Sequence, residues 1–376
     1  MSELLDWWLR PKLWHGMSLG AWLGMLRAHR FRISPTRLPM SAAISGFACG
    51  NSVAGLLQRL LRGSASSTAL AGPPIFVIGH WRSGTTWMHE LLDADSRHTA
   101  PNTYECMSPA HFLLTETFVS RWLPFVLPNR RLPDRMAQSW LAPQEDEAAM
   151  CNLGMPSPYW KLAFPNQPMA ADDYVDMEQL PEARRQEWCE LLERFLRQVS
   201  SRRPQRLVLK SPTHSLRIPL LADHFGGSRY VYMVRDPQRV IPSTLHLWRV
   251  MRRSQGLQAA RFDSLEDEVF GMFHRLDRAV ESARQTLPRD RFATVRYEQL
   301  KADPLGELER LYEQLEFGDF AAARDNLVAH LAQVRDHQVN HYEPDPALED
   351  RIRNECAEFS TRHGYDQPQP ATTAVD

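Results

Sequence analysis

Apolar residues recur at helical spacing near the start of the chain, at Leu4, Trp7 and Trp8 and again at Leu19, Trp22, Leu23 and Leu26. This pattern predicts an N-terminal extension of two or three amphipathic helices over residues 1 to 70. Within it, Leu38 to Gln58 carries no charge, but Ser, Gly, Asn and Pro interrupt the run, which argues against a membrane span. Gly63 to Thr68 reads as a flexible connector. From Pro74 the pattern changes to short β-branched runs alternating with amphipathic helices, the pattern of a parallel sheet with crossover helices. The runs are Ile75 to Ile78, Leu207 to Leu209, Tyr230 to Val234 and Phe292 to Val295. Basic and polar residues follow each one: Arg82 and Ser83, then Lys210, Arg235, and Arg296 with Tyr297. Ligands of open parallel sheets bind beyond the carboxyl ends of the strands, so these four clusters are expected to converge on one crevice.

The predicted α/β domain covers residues 71–365, with a helical and loop insertion at about 115–168 that could roof the crevice, and a disordered tail at 366–376. Aromatic residues of the insertion (Trp122, Phe125, Trp140, Tyr159, Trp160, Phe164) suit either an apolar roof for a lipid, polyketide or aryl acceptor or an ordinary core. Trp7, Trp8, Trp14 and Trp22 beside Arg10, Lys12 and Arg27 admit two readings, packing against the main domain or peripheral contact with a membrane surface. The 376 residues hold 44 Lys and Arg against 45 Asp and Glu, a formal charge of -1, so no global field steers the chain to nucleic acid and any anion site is local. Five cysteines without ligand spacing indicate neither zinc nor a disulfide framework. Together with a start that lacks the pattern of a secretory signal, this points to the cytoplasm. A homo-oligomer stays among the partner readings.

The run Ile75 to Thr86 is a strand, a tight loop bounded by Gly79 and Gly84, and a helix start with an apolar stripe at Trp87, Met88, Leu91 and Leu92. Backbone N–H groups of such a loop form an anion cradle in a P-loop-NTPase-like fold. A Walker A loop would carry Lys at position 85, where this chain has Thr85, and the basic residue is instead Arg82 inside the loop. That argues against Mg-nucleotide phosphotransfer. Arg235 at the next strand end, Asp236 and Pro237 as helix cap and first turn, and Ser243 eight residues after Arg235 form a candidate second anion site. Two anion sites call for a ligand with two anionic groups.

The segment Arg82-Ser83-Gly84-Thr85-Thr86-Trp87 resembles the 5'-phosphosulfate loop of the sulfotransferase family, and Arg235 with Ser243 is similar to that family's 3'-phosphate site. Arg296-Tyr297-Glu298-Gln299-Leu300 resembles a later family segment that puts Tyr297 near the adenine. The resemblance spans residues 74 to about 315. It implies sulfuryl transfer from 3'-phosphoadenosine 5'-phosphosulfate (PAPS) to an acceptor hydroxyl or amine, with no metal. Many cytosolic members carry Lys in place of Arg82 and a C-terminal Arg-Lys-Gly segment not found here; the Arg-bearing loop resembles the branch of tyrosylprotein and bacterial sulfotransferases.

Lys210 is placed to follow charge onto the bridging oxygen. Two residues compete as base: His214, whose intrinsic pKa is near neutral, and Glu105, which resembles the catalytic glutamate of the Arg-bearing branch and needs its pKa raised by burial. Glu145-Asp146-Glu147 reads as a solvated helix start, or as a site that binds a cationic acceptor or orients arginines. The rival readings are a small-molecule kinase using ATP and Mg and a non-catalytic nucleotide-binding or membrane-associated scaffold.

Overall fold

The four β-branched runs become four strands of one sheet in the computed structural model, which describes residues 11–62, 68–123, 127, 139–168, 171–334 and 345–366. Trp7, Trp8, Arg10, Phe125, the connector over 63–67 and the tail over 367–376 lie outside the described residues. The strands are β1 (Ile75–Gly79), β2 (His98–Thr99), β3 (Arg206–Lys210), β4 (Arg229–Val234) and β5 (Phe292–Arg296), in the order β2-β3-β1-β4-β5. Every neighbouring pair is parallel, and β1 is central, with Val77 opposite Lys210 on one side and Val231 on the other.

Burial on both faces explains why these runs are nearly continuous in apolar residues. Phe76, Ile78, Leu207, Leu209, Tyr230 and Tyr232 join one core, while Ile75, Val77, Val208, Val231 and Met233 join another. The two-residue β2 has no comparable run and was not anticipated.

The helices used below are α1 (Leu19–Ala28), α2 (Leu38–Arg62), α3 (Thr85–Asp93), α4 (Thr103–Met107), α5 (Phe112–Trp122), α6 (Asp146–Asn152), α7 (Glu182–Ser200), α8 (Ile218–His224) and α9 (Pro237–Gln255). Residues Pro212–Leu216 form a 3-10 turn between β3 and α8.

The N-terminal segment is part of the same body. Trp14 and Trp22 are fully buried in a core that also holds Met25, Ile44, Trp81, Trp160 and Phe164. Their indole N–H groups donate to Gln255 O at 2.8 Å and to Ser45 Oγ at 3.0 Å. Neither indole is therefore available to a membrane. The insertion's Trp140, Tyr159, Trp160 and Phe164 are likewise buried, which matches the core reading for them; Trp122 alone of the described aromatics named there is exposed.

Replacing Trp22 by Ala removes a buried ring and its N–H donor, and is expected to destabilise the fold by about 3–5 kcal/mol. Chemical denaturation followed by tryptophan fluorescence and far-UV circular dichroism measures this as an earlier midpoint.

Candidate active site

The loop after β1 owes its shape to three residues with positive φ. Gly79 (φ 136°) lies so close to β4 that a Cβ would sit 2.5 Å from Met233 O. Gly84 (φ 99°) opens α3 against the Tyr297 ring, and a Cβ there would lie 2.5 Å from Cδ2. Between them Arg82 is left-handed at φ 70°, a conformation that costs a non-glycine residue about 1–3 kcal/mol. Ser83 ties the turn, its Oγ donating to His80 O at 2.7 Å. Gly79 N donates to Ser215 Oγ at 2.9 Å, which fastens the loop to the 3-10 turn. Thr85 is buried in the first turn of α3, Thr86 is half-buried beside it, and the Trp87 ring meets Tyr297 edge-on at 5.8 Å.

The groups assigned to two anion sites lie side by side. Arg82 Nε donates to Ser243 Oγ at 2.9 Å, and Arg235 Nη1 donates to Arg82 O at 3.2 Å. The Arg235 guanidinium lies 4.1 Å from the centre of the Tyr297 ring. Its Nε is buried with no hydrogen-bond partner. Burial pulls the Arg235 pKa below its ordinary value; Tyr297 and Glu298 oppose that, and the nearby Arg82 and Arg239 charges add to it. Cations gathered in this way, with a buried donor unused, favour an anion over any neutral ligand. Asp236 caps α9 by accepting from Gln238 N at 2.9 Å, with Pro237 at the first helical position, as the sequence predicts.

Across the crevice the acidic run meets the segment that follows β3. Lys210 Nζ lies 2.6 Å from Glu145 Oε1, and the Tyr159 hydroxyl donates to the other Glu145 oxygen. Burial and the Glu145 charge push the Tyr159 pKa up, so it remains a donor. His214 Nε2 lies 2.6 Å from Asp146 Oδ2, and Arg217 Nη1 donates to Glu147 Oε2 at 2.5 Å. Ser211 and Thr213 hydroxyls donate to Asp146 and Glu147, and Ser157 to Glu147. The Arg217 guanidinium stacks on Trp188 at 4.8 Å. The run thus orients basic side chains and is not a solvated helix start: Asp146 and Glu147 are fully buried, while the Glu145 side chain keeps 20% exposure.

The two sequence candidates for the base are both enclosed. Glu105 forms a capping box at the start of α4, accepting from Asn102 N at 2.8 Å, and pairs with Arg203 at 2.7 Å. Burial raises its pKa, Arg203 opposing, and Oε1 has no partner. The pKa direction expected of a base is present, without exposure to the crevice. His214 is fully buried, its ring 5.4 Å from Phe76 and 6.2 Å from Trp188, with Nδ1 unpartnered.

Residues 73–320 match the model of a sulfotransferase family. Proteins from Mycobacterium bovis and Mycobacterium tuberculosis named omega-hydroxy-beta-dihydromenaquinone-9 sulfotransferase Stf3 are each 40% identical to this chain over 375 residues, which covers 98% of this chain and 96% of theirs. The chain belongs to the sulfotransferase family. Two solved mycobacterial structures share its fold. Sulfotransferase STF9 from Mycobacterium avium has a TM-score of 0.68 at 18% identity, over 88% of this chain and 86% of that one. STF1 from Mycobacterium tuberculosis has a TM-score of 0.63 at 17% identity, over 90% and 91%.

The sulfotransferase assignment sets aside the kinase and scaffold readings. Of the residues named from the sequence, the fold brings Arg82, Ser83, Gly84, Thr85, Trp87, Arg235, Ser243 and Tyr297 into one cluster. It sets Lys210 in the facing network and turns Glu105 toward Arg203. Glu145, Tyr159 and Ser215 were not given these contacts. The only local sign was a run of three carboxylates in one segment and Lys210, His214 and Arg217 in another.

Burial pushes the Asp146 and Glu147 carboxyls up, but His214 and Arg217 pull them further down, below their ordinary values of 3.8 and 4.5. A depressed folded pKa gives stability that is fully present above the ordinary value and is lost as pH falls through the folded one. Stability is therefore expected to fall steeply below about pH 4. Glu147→Gln leaves Arg217 buried against a neutral group and is expected to cost about 3–5 kcal/mol at neutral pH, while flattening the acid dependence. Urea midpoints of both proteins between pH 3 and 7 check the two effects together.

Proposed function

We propose that this sulfotransferase moves a sulfuryl group from PAPS to a hydroxyl of a lipid acceptor. The half-buried Arg235 guanidinium carries the reading: it is stacked on Tyr297, sits beside Arg82 and Ser243, and leaves a buried Nε without a partner. A ligand with one anionic group at the loop and another at Arg235 and Ser243, and with a ring for Tyr297, matches this set. Arg82, Ser83, Gly84, Thr85, Thr86 and Trp87 would hold the 5' group, and Arg235 and Ser243 the 3'-phosphate. The donor supplies a sulfur atom already bonded to a stable phosphate leaving group, so the residues need only orient, neutralise and remove one proton.

Transfer forms a bond from the acceptor oxygen to sulfur and breaks the bond from sulfur to the bridging oxygen, whose electron pair leaves on the phosphate. Arg82 and Lys210 are the cations placed to answer that charge. Glu145 is the carboxylate placed to take the hydroxyl proton. Its side chain keeps 20% exposure, its second oxygen is held by Tyr159, and movement of Lys210 toward the leaving oxygen releases Oε1. Asp146 with His214, and Glu147 with Arg217, hold the segment behind Lys210 in place. The lipid acceptor is supported by the Stf3 relatives, whose name specifies a hydroxylated dihydromenaquinone. A cytoplasmic site of action fits a donor of this nucleotide class.

Adenosine 3',5'-bisphosphate at about 100 times its dissociation constant is expected to stabilise the protein by about 2.7 kcal/mol in thermal unfolding. Stabilisation by ATP with Mg and none by the bisphosphate would overturn the donor assignment.

Glu145→Gln is expected to lower kcat by about 10²-fold or more with bisphosphate binding retained. Glu105→Gln and His214→Ala, compared at equal folded fraction, are expected to retain far more turnover. A rate loss confined to either of those two variants, with Glu145→Gln near normal, would move the base to that residue.

A further inference from the structure

Helix α2 buries Met40, Ile44 and Ala48 in the core and yet exposes a second apolar side. The side packed on the body carries Ser45, Asn51 and Ser52, which bond to Trp22 Nε1, to His15 O and Met17 O, and to Leu19 N at 2.6–3.0 Å. Gln58 and Gly55 are buried on that side too, Gly55 against Ala110. The outward side carries Phe47, Val53, Leu56, Leu57, Leu60 and Leu61, with Leu60 at 72% and Leu61 at 71% exposure. The charged residues of the helix are Arg59 and Arg62, both at its C-terminal end. Helix α5, which packs beside α2, adds exposed Phe118 and Trp122 and the basic Arg121. Its acid, Glu116, is buried and bonded to Asn102.

A surface helix in water places its apolar side inward, and an exposed run of large apolar side chains of this extent marks an interaction face. We propose that the outward face of α2 lies in the surface of an anionic lipid bilayer, with Arg59 and Arg62 on the phosphate groups. Charge decides against a second copy of this chain as occupant: an isologous contact sets the face against itself, and α2 has no carboxylate to answer its arginines. Anionic headgroups answer them. The helix is long and apolar enough to cross a membrane by length and composition, but its polar side is bonded to the N-terminal segment along its middle, so it lies in the surface and does not span. This surface is distinct from the tryptophans for which the sequence admits a membrane reading, of which Trp14 and Trp22 are packed in the core. It goes beyond the acceptor assignment and needs neither donor nor acceptor to be tested.

The full chain is sedimented with sucrose-loaded vesicles of phosphatidylcholine containing phosphatidylglycerol, and with phosphatidylcholine vesicles alone. The wild type is expected to partition to the anionic vesicles. The double variant Leu57→Ser with Leu61→Ser, and separately Arg59→Glu with Arg62→Glu, are each expected to lose about tenfold or more in partition coefficient. Their melting temperatures and bisphosphate-induced shifts are expected to match the wild type, which separates failure of this proposal from failure of the donor assignment. Equal partition of wild type and variants, or none by the wild type, would overturn the proposal. So would a wild-type dimer in analytical ultracentrifugation that the Leu57 and Leu61 changes dissociate, which would make the face an interface between copies.

Discussion

Glu145, Asp146 and Glu147 meet Lys210, His214 and Arg217 one to one, across 65 to 70 residues of sequence, and the shape of the crevice rests on this match. Successive residues at a helix start point in different directions, so one short run can address three partners spread over the end of β3, the 3-10 turn and the residue after it. The two inner pairs are fully buried, where an unmatched charge costs several kcal/mol, and the hydroxyls of Ser157, Ser211 and Thr213 occupy further carboxylate positions. In the outer pair Lys210 is buried as well, and only Glu145 keeps contact with solvent. The inner two pairs therefore fix the segment that carries the three carboxylates to the end of β3 and the residues that follow it.

On the other side of the crevice the balance runs against stability. Arg82, Arg235 and Arg239 stand near one another, Arg82 is held left-handed, and Arg235 keeps a buried N–H without an acceptor. The Tyr297 face, Glu298 and Ser243 offset part of this cost. These are costs that the surrounding packing has to offset.

Parts of the architecture were legible because their signals are local. The four long strands are runs of β-branched and apolar residues buried on both faces, and their order in the chain placed Arg82, Lys210, Arg235 and Tyr297 at one edge by the rule for parallel sheets. Gly79 and Gly84 announced a tight loop because only glycine accepts those φ angles without contact from a neighbour. The helix that starts at Pro237 was marked by Asp236 and the proline itself. β2 was not legible, since His98 and Thr99 pair with Arg206 and Leu207 only once β3 is in place.

By itself the amino-acid sequence determined the sheet, the tight loop after β1, the family and the set of cations at the strand ends, since each depends on residues a few positions apart. The tertiary structure alone decided which carboxylate meets which cation, why Glu105 serves Arg203 and a helix cap, and why Glu145 keeps exposure while Asp146 and Glu147 have none. It alone also decided that Trp14 and Trp22 turn inward while the leucines of α2 turn outward. Periodicity shows that a helix has two faces; only the packing of distant segments, through burial and charge matching, determines what each face covers.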